Sequence, residues 1–111
     1  MKHFVINITY KVSLGLIDKN LEDHREFLEQ GYEQGYLLCS GPQNPRIGGI
    51  IIARANSLDE LRDFFSKDPY LISNLADYEF IEFHPVKYNK ILTKWIDENP
   101  DDSANENLYE I

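Results

Sequence analysis

One cysteine, Cys39, is present in 111 residues, so the chain can form neither an internal disulfide nor a multi-cysteine zinc site. That scarcity favours a reducing compartment, and the cytoplasm is the expected location. No window approaches the ~18 consecutive apolar residues of a membrane span. Met1-Lys2-His3-Phe4-Val5 leads straight into a strand pattern and lacks the apolar core of a signal peptide. Positive charge is scarce as well. Eleven Lys and Arg face 19 Asp and Glu, a net charge of −8. The basic stripe that nucleic-acid binding needs is missing, and an acidic surface repels anionic membranes. Neither a nucleic acid nor a membrane is expected as partner. There is no Gly-rich phosphate loop and no nucleophile elbow. His3, His24 and His84 match no metal-ligand spacing, so no metal and no cofactor is expected.

The charge deficit is local. Six acidic residues and no basic one fall between Asp97 and Ile111, so residues 1–96 carry 13 acidic and 11 basic groups. The folded part is close to neutral. Residues 97–111 read as an acidic, mobile tail. The length permits one domain, set at residues 1–87, with a short C-terminal helix at 88–96.

Phe4, Ile6, Ile8 and Tyr10 alternate with His3, Val5, Asn7 and Thr9, the period of a strand with one apolar and one mixed face. On that mixed face polar Asn7 and Thr9 either line a cavity or are simply exposed to solvent, the more common outcome for a single strand. A helix is expected from about Asp18 to Gln34, capped by Asp18 or Asn20 and ended by Gly35. Ile17, Leu21, His24, Leu28 and Gly31 form its apolar stripe, widened by Phe27. Tyr36-Leu37-Leu38-Cys39-Ser40 reads as a second strand broken by Gly41-Pro42, with Cys39 as an inert hydrophobe. Gly48 to Arg54 reads as a central strand covered on both faces. Ser57 and Glu60 make a capping box for a helix carrying Leu58, Leu61, Phe64 and Phe65. Asp68-Pro69 ends that helix. Tyr78 to His84 is the last strand. Tyr88, Ile91, Leu92 and Trp95 give a short amphipathic helix.

The order β-α-β-β-α-β is the ferredoxin-like arrangement, an α+β fold with a four-stranded antiparallel sheet and helices on one face. The other face then needs a cover, and the sheet of a second subunit is the common solution.

His24 stands out because it occupies a position on an apolar stripe where leucine would pack well. Two readings are open. It is either a buried imidazole bonded to a backbone carbonyl, or a base oriented by a carboxylate. Asp68 is the candidate carboxylate, although sequence spacing alone does not bring the two together. Ser40-Gly41-Pro42 can offer backbone N–H groups to an anionic oxygen, or simply end a strand. Tyr70 can stack on a ligand or pack in the core.

His24 with Phe27-Leu28, then Gly35-Tyr36-Leu37-Leu38, Ser40-Gly41-Pro42 and Asp68-Pro69-Tyr70, resembles the motifs of the YciI-like family in their family order, over roughly residues 3 to 86. The resemblance implies a dimeric α+β barrel with His24 as general base and Asp68 as its partner near the dimer cavity. Leu21 stands where the family often has arginine, which makes Arg46 the candidate replacement anchor. Asn74 stands where a turn glycine is usual, and asparagine is the common substitute in a left-handed turn. Family members and barrel relatives act on chlorinated hydroxyquinones and muconolactones. The implied function is a cofactor-independent lyase or isomerase that moves a proton on a small aromatic or carbonyl-containing molecule. Its substrate-binding candidates are Ser40, Gly41, Pro42, Tyr70, Asn7 and Arg46. The alternative is a non-catalytic protein that holds a small ligand in the same cavity.

Overall fold

The computed structural model describes residues 1–97. Its elements are β1 (Lys2–Tyr10), α1 (Leu14–Lys19), α2 (Leu21–Glu33), β2 (Leu37–Pro42), β3 (Gly48–Ala55), α3 (Leu58–Phe65), α4 (Pro69–Ile72), β4 (Ala76–Phe83) and, after a 3-10 turn at Lys90–Leu92, α5 (Thr93–Ile96). The four strands form one antiparallel sheet in the order β2-β3-β1-β4. This is the ferredoxin-like α+β arrangement. The expected acidic tail, beyond Asp97, lies outside the described residues.

Phe4, Ile6 and Ile8 of β1 are buried under the helices, as the period of two requires. They meet Ile51, Ala53, Phe27, Leu61, Phe65 and Leu75 in one apolar core. Gly31 lets α2 approach the sheet closely. A Cβ there would stand 2.7 Å from Leu37 Cδ1 and 3.0 Å from Phe64 Cζ. Gly35, at φ 80°, reverses the chain after α2, and Asn74, at φ 55°, turns it into β4. Ser57 Oγ accepts the Glu60 N–H at 3.1 Å and caps α3. Glu60 does not return the bond to Ser57. It accepts from the Asn56 N–H at 2.9 Å and from the Tyr36 hydroxyl at 3.0 Å, tying the helix start to the residue that precedes β2.

Four sequence expectations change. The long first helix is two helices, separated at Asn20, whose φ of −108° leaves the helical range. Ser13 caps the first of them, with its side chain accepting from the Leu16 N–H. Strand β2 is not broken at Gly41-Pro42, because Gly41 pairs with Ile50 and Pro42 with Gly49. Its edge position tolerates a proline, which has no N–H to give. On that edge Cys39 is exposed instead of buried. Strand β3 is central but is covered by helices on one face only.

On the open face the register aligns Ile52, Val5 and Ile81 across three strands. Ile81 is 45% and Phe83 40% exposed. Near the β3 C-terminal end, the Arg54 guanidinium lies 3.8 Å over the Trp95 ring and donates to the Trp95 and Gly35 carbonyls at 3.0 and 2.9 Å. It thereby fastens α5 to the turn that follows α2.

Candidate active site

Helix α2 places His24 on its buried side, one turn before Phe27 and Leu28, so the imidazole leaves the helix toward the sheet rather than toward water. Asp68 ends the loop after α3 and caps α4. Its extended backbone, with φ −68° and ψ 126°, is the conformation favoured before a proline, and its Oδ1 accepts the Tyr70 N–H at 3.0 Å. Capping therefore locks the carboxylate in place. The other partner of Oδ1 is His24 Nδ1, at 2.8 Å. The Tyr78 hydroxyl of β4 donates to Oδ2. The aspartate is wholly buried and all its contacts are donors, the arrangement a buried carboxylate needs. Burial, and then the neighbouring carboxylate, push the Tyr78 hydroxyl far above its usual range, so it acts as a fixed donor.

Tyr70, two residues after Asp68, lays its ring flat on His24, with centroids 3.9 Å apart and planes 6° from parallel. The imidazole is thus held on one face by an aromatic ring and at Nδ1 by a carboxylate. With Nδ1 so engaged, Nε2 carries the lone pair when the ring is neutral. That nitrogen is the one left for the cavity.

The cavity is about 420 Å³. Its floor is the helix-side surface of the sheet, from Ile8, Tyr10 and Ile51. Leu21, His24, Arg25 and Leu28 of α2 form one wall, and Ser40, Gly41, Pro42 and Gly49 of the β2–β3 edge form another. Arg46, from the loop between β2 and β3, and Tyr70 complete it. Ser40 Oγ pairs with the Tyr32 hydroxyl at 2.7 Å. Arg46 Nη2 donates to Asp18 Oδ1 at 2.6 Å. That contact depresses the Asp18 carboxyl below its ordinary range and raises the guanidinium. The Tyr70 hydroxyl is buried, has no hydrogen-bond partner among the described residues, and is pushed up to about 12 chiefly by burial.

Of the residues singled out in the sequence, His24, Ser40, Gly41, Pro42, Arg46 and Tyr70 surround this cavity, and Asp68 sits behind His24. Asn7 does not join them. The strand period that turns Ile6 and Ile8 to the helices turns Asn7 to the open face, between Ile50 and Glu79. The cavity lies on the helix side of the sheet rather than on the mixed face of β1. Tyr78 was missed by sequence reasoning. A signal existed: in the alternation of β4, Tyr78 and Phe80 fall on the side opposite Ile81, the side from which Asp68 is reached.

Comparison with known proteins agrees with the fold. The family of YCII-related domains matches residues 1–84. Among solved structures, the chain is similar to 5-chloro-2-hydroxyhydroquinone dehydrochlorinase from Burkholderia phenoliruptrix AC1100, in complex with 2,5-dihydroxybenzoquinone. The TM-score is 0.59 and the identity 22%, over 78% of this chain and 93% of that one, a likeness of fold. No curated protein matches in sequence. With the family pattern spanning the whole sheet and both halves of the His24–Asp68 pair, the chain belongs to the YCII-related domain family.

Proposed function

We propose that the protein is a cofactor-independent enzyme of the lyase or isomerase kind, acting by proton transfer on a small aromatic or carbonyl-containing molecule. The observation that carries this reading is the 2.8 Å bond from His24 Nδ1 to a wholly buried carboxylate, at the wall of a cavity large enough for a single ring. A histidine kept only for packing would need neither the carboxylate nor the cavity.

In this reading His24 Nε2 takes a proton from an acidic C–H beside a carbonyl, or from a ring hydroxyl. The substrate retains the electron pair as an enolate or phenolate. The imidazolium formed is stabilised by Asp68, itself held by Tyr78 and the Tyr70 N–H. Collapse of the enolate expels a leaving group or accepts the proton back at another carbon, which gives a lyase or an isomerase outcome respectively. The dehydrochlorinase is a fold relative whose named activity belongs to the first class, and it supports that choice by analogy.

We further propose that the working form is a homodimer through the open sheet face, where Ile52, Val5 and Ile81 lie side by side and Phe83 is exposed. An apolar stripe of that kind marks an interaction surface. The lone cysteine fits a cytoplasmic setting. Among the described residues no helix is long and apolar enough to cross a membrane.

The test is a substrate panel of chlorinated hydroxyhydroquinones and unsaturated lactones in deuterated water, followed by chloride release and by deuterium uptake. The expected result is turnover by the wild-type protein, with a loss of at least ~100-fold in His24→Gln, the usual scale for removing a general base. Turnover that survives His24→Gln would overturn the assignment. Stoichiometric binding of these compounds with neither turnover nor exchange would instead make the protein a ligand carrier.

A further inference from the structure

We infer that the cavity selects a small anion, a carboxylate or an ionised enol or phenol, and that Arg46 receives it by releasing Asp18. The inference rests on the reading of the His24 cavity as a ligand site and adds the charge of the ligand.

The first observation is charge segregation. Residues 1–96 carry 13 acidic and 11 basic groups, yet among the described residues the cavity lining holds Arg25, Arg46 and His24 and not one Asp or Glu. Among the described residues, the carboxylates nearest to it lie behind or beside it. Asp68 is sealed beneath His24, and Asp18 lies on α1 with its charge already spent on Arg46. A cavity lined in this way attracts anions and repels cations.

The second observation is how Arg46 is held. Its side chain is 35% exposed and that of Asp18 54%, so the 2.6 Å pair is a solvent-screened one of little net strength. The guanidinium has five donors in a planar fork, and Asp18 is bonded through Nη2 alone. A ligand carboxylate can match the fork with two parallel bonds, which Asp18 does not do here. Asp18 is therefore a weak, replaceable occupant of the guanidinium.

The third observation is the Tyr70 hydroxyl, which is buried without a partner among the described residues, on a side chain that lines the same cavity as Arg46. A buried O–H without an acceptor is unfavourable by itself. It remains protonated at neutral pH and so is ready to donate to an anion placed between it and Arg46.

Benzoate and benzamide make the probe pair, equal in shape and different in charge, with binding followed by calorimetric or NMR titration. Wild type should prefer benzoate by about tenfold, the usual worth of one good charged contact. Arg46→Gln should abolish the preference, and Arg46→Lys should keep part of it. Asp18→Asn should tighten benzoate binding about twofold to fivefold, because the competing carboxylate is gone. In the Arg46→Gln background the same Asp18→Asn change should have no effect on benzoate. Loss of affinity in Asp18→Asn, or an unchanged preference in Arg46→Gln, would overturn the inference. His24→Gln separates it from the proton-transfer reading. Benzoate preference should persist in that variant, and its disappearance there would assign anion selection to the imidazole instead. Arg46-dependent benzoate binding in a protein that turns over no substrate would sink the enzyme and leave the anion site. Turnover with no preference for benzoate would do the reverse.

Discussion

Removing His24 by substitution with leucine should destabilise the fold, although leucine suits the helix stripe better. In the structure Asp68 Oδ1 accepts from His24 Nδ1 at 2.8 Å and from the Tyr70 N–H at 3.0 Å, and Oδ2 accepts from Tyr78. His24→Leu takes away one hydrogen bond to a buried charged group, about 1.5–3 kcal/mol. The leucine returns about 1 kcal/mol of apolar burial, so the net loss is about 0.5–2 kcal/mol. Asp68→Asn keeps the shape but removes the charge and forces Tyr78 to turn its O–H, a loss of about 2 kcal/mol. In the double variant the His24–Asp68 bond is already gone, so the two losses should fall short of additivity by about 1–2 kcal/mol. Urea titration followed by circular dichroism measures all four corners of the cycle. Protein concentration must be the same in each, because self-association adds to apparent stability. For a domain of this size each kcal/mol corresponds to about 4–8 °C in Tm, so thermal scans give a second reading. Additivity within about 0.5 kcal/mol, or a His24→Leu variant as stable as wild type, would refute the idea that the two side chains form one unit.

Tyr70→Phe should stabilise the ligand-free protein by about 1 kcal/mol, since it removes a buried hydroxyl without a partner and keeps the ring on His24. The pH dependence has a definite sign: the folded-state value near 12 lies above the unfolded one near 10, so the Tyr70 contribution is complete below pH 10 and is lost as pH rises toward 12. Tyr70→Phe should flatten this alkaline fall in urea midpoints, and an unchanged slope between pH 9.5 and 11.5 would contradict the placement of the hydroxyl. Gly31→Ala should cost about 1–3 kcal/mol, because its methyl would sit 2.7 Å from Leu37 and push α2 off the sheet; equal melting temperatures would show that Leu37 gives way freely. Analytical ultracentrifugation at micromolar concentration should find a dimer, with Ile81→Glu shifting it to monomer, and a wild-type monomer would refute the sheet-face interface.

How much of this was legible beforehand depended on the range of the interaction. Asp68-Pro69 was expected to end α3, which stops at Phe65, and instead opens α4. The strand alternation of Phe4, Ile6 and Ile8, the Ser57 cap and the Gly35 turn were all readable, because each arises between residues a few positions apart. Together they implied the β-α-β-β-α-β order, and with it the sheet that the structure contains. His24 was conspicuous for the same reason, as a polar group on an apolar period. Local reading failed where two signals competed. Ile17 shares the stripe of α2 and so suggested one continuous helix, but the Ser13 cap and the break at Asn20 make it two. Gly41-Pro42 looked like a strand end, yet an edge strand has a side on which a missing N–H costs nothing.

The amino-acid sequence by itself determined which side chains face the core, where the chain turns, and that a histidine is held among apolar neighbours. Tertiary structure alone decided that His24 meets Asp68, 44 residues away, that Tyr78 secures the second oxygen of that carboxylate, and that Arg46 rather than Asn7 reaches the cavity. The physical reason is that periodicity specifies the direction of a side chain from its own backbone, whereas the distance between two side chains on different elements is set by how whole helices pack on the sheet. A gap of one ångström there separates a hydrogen bond from none, and no spacing along the chain encodes it.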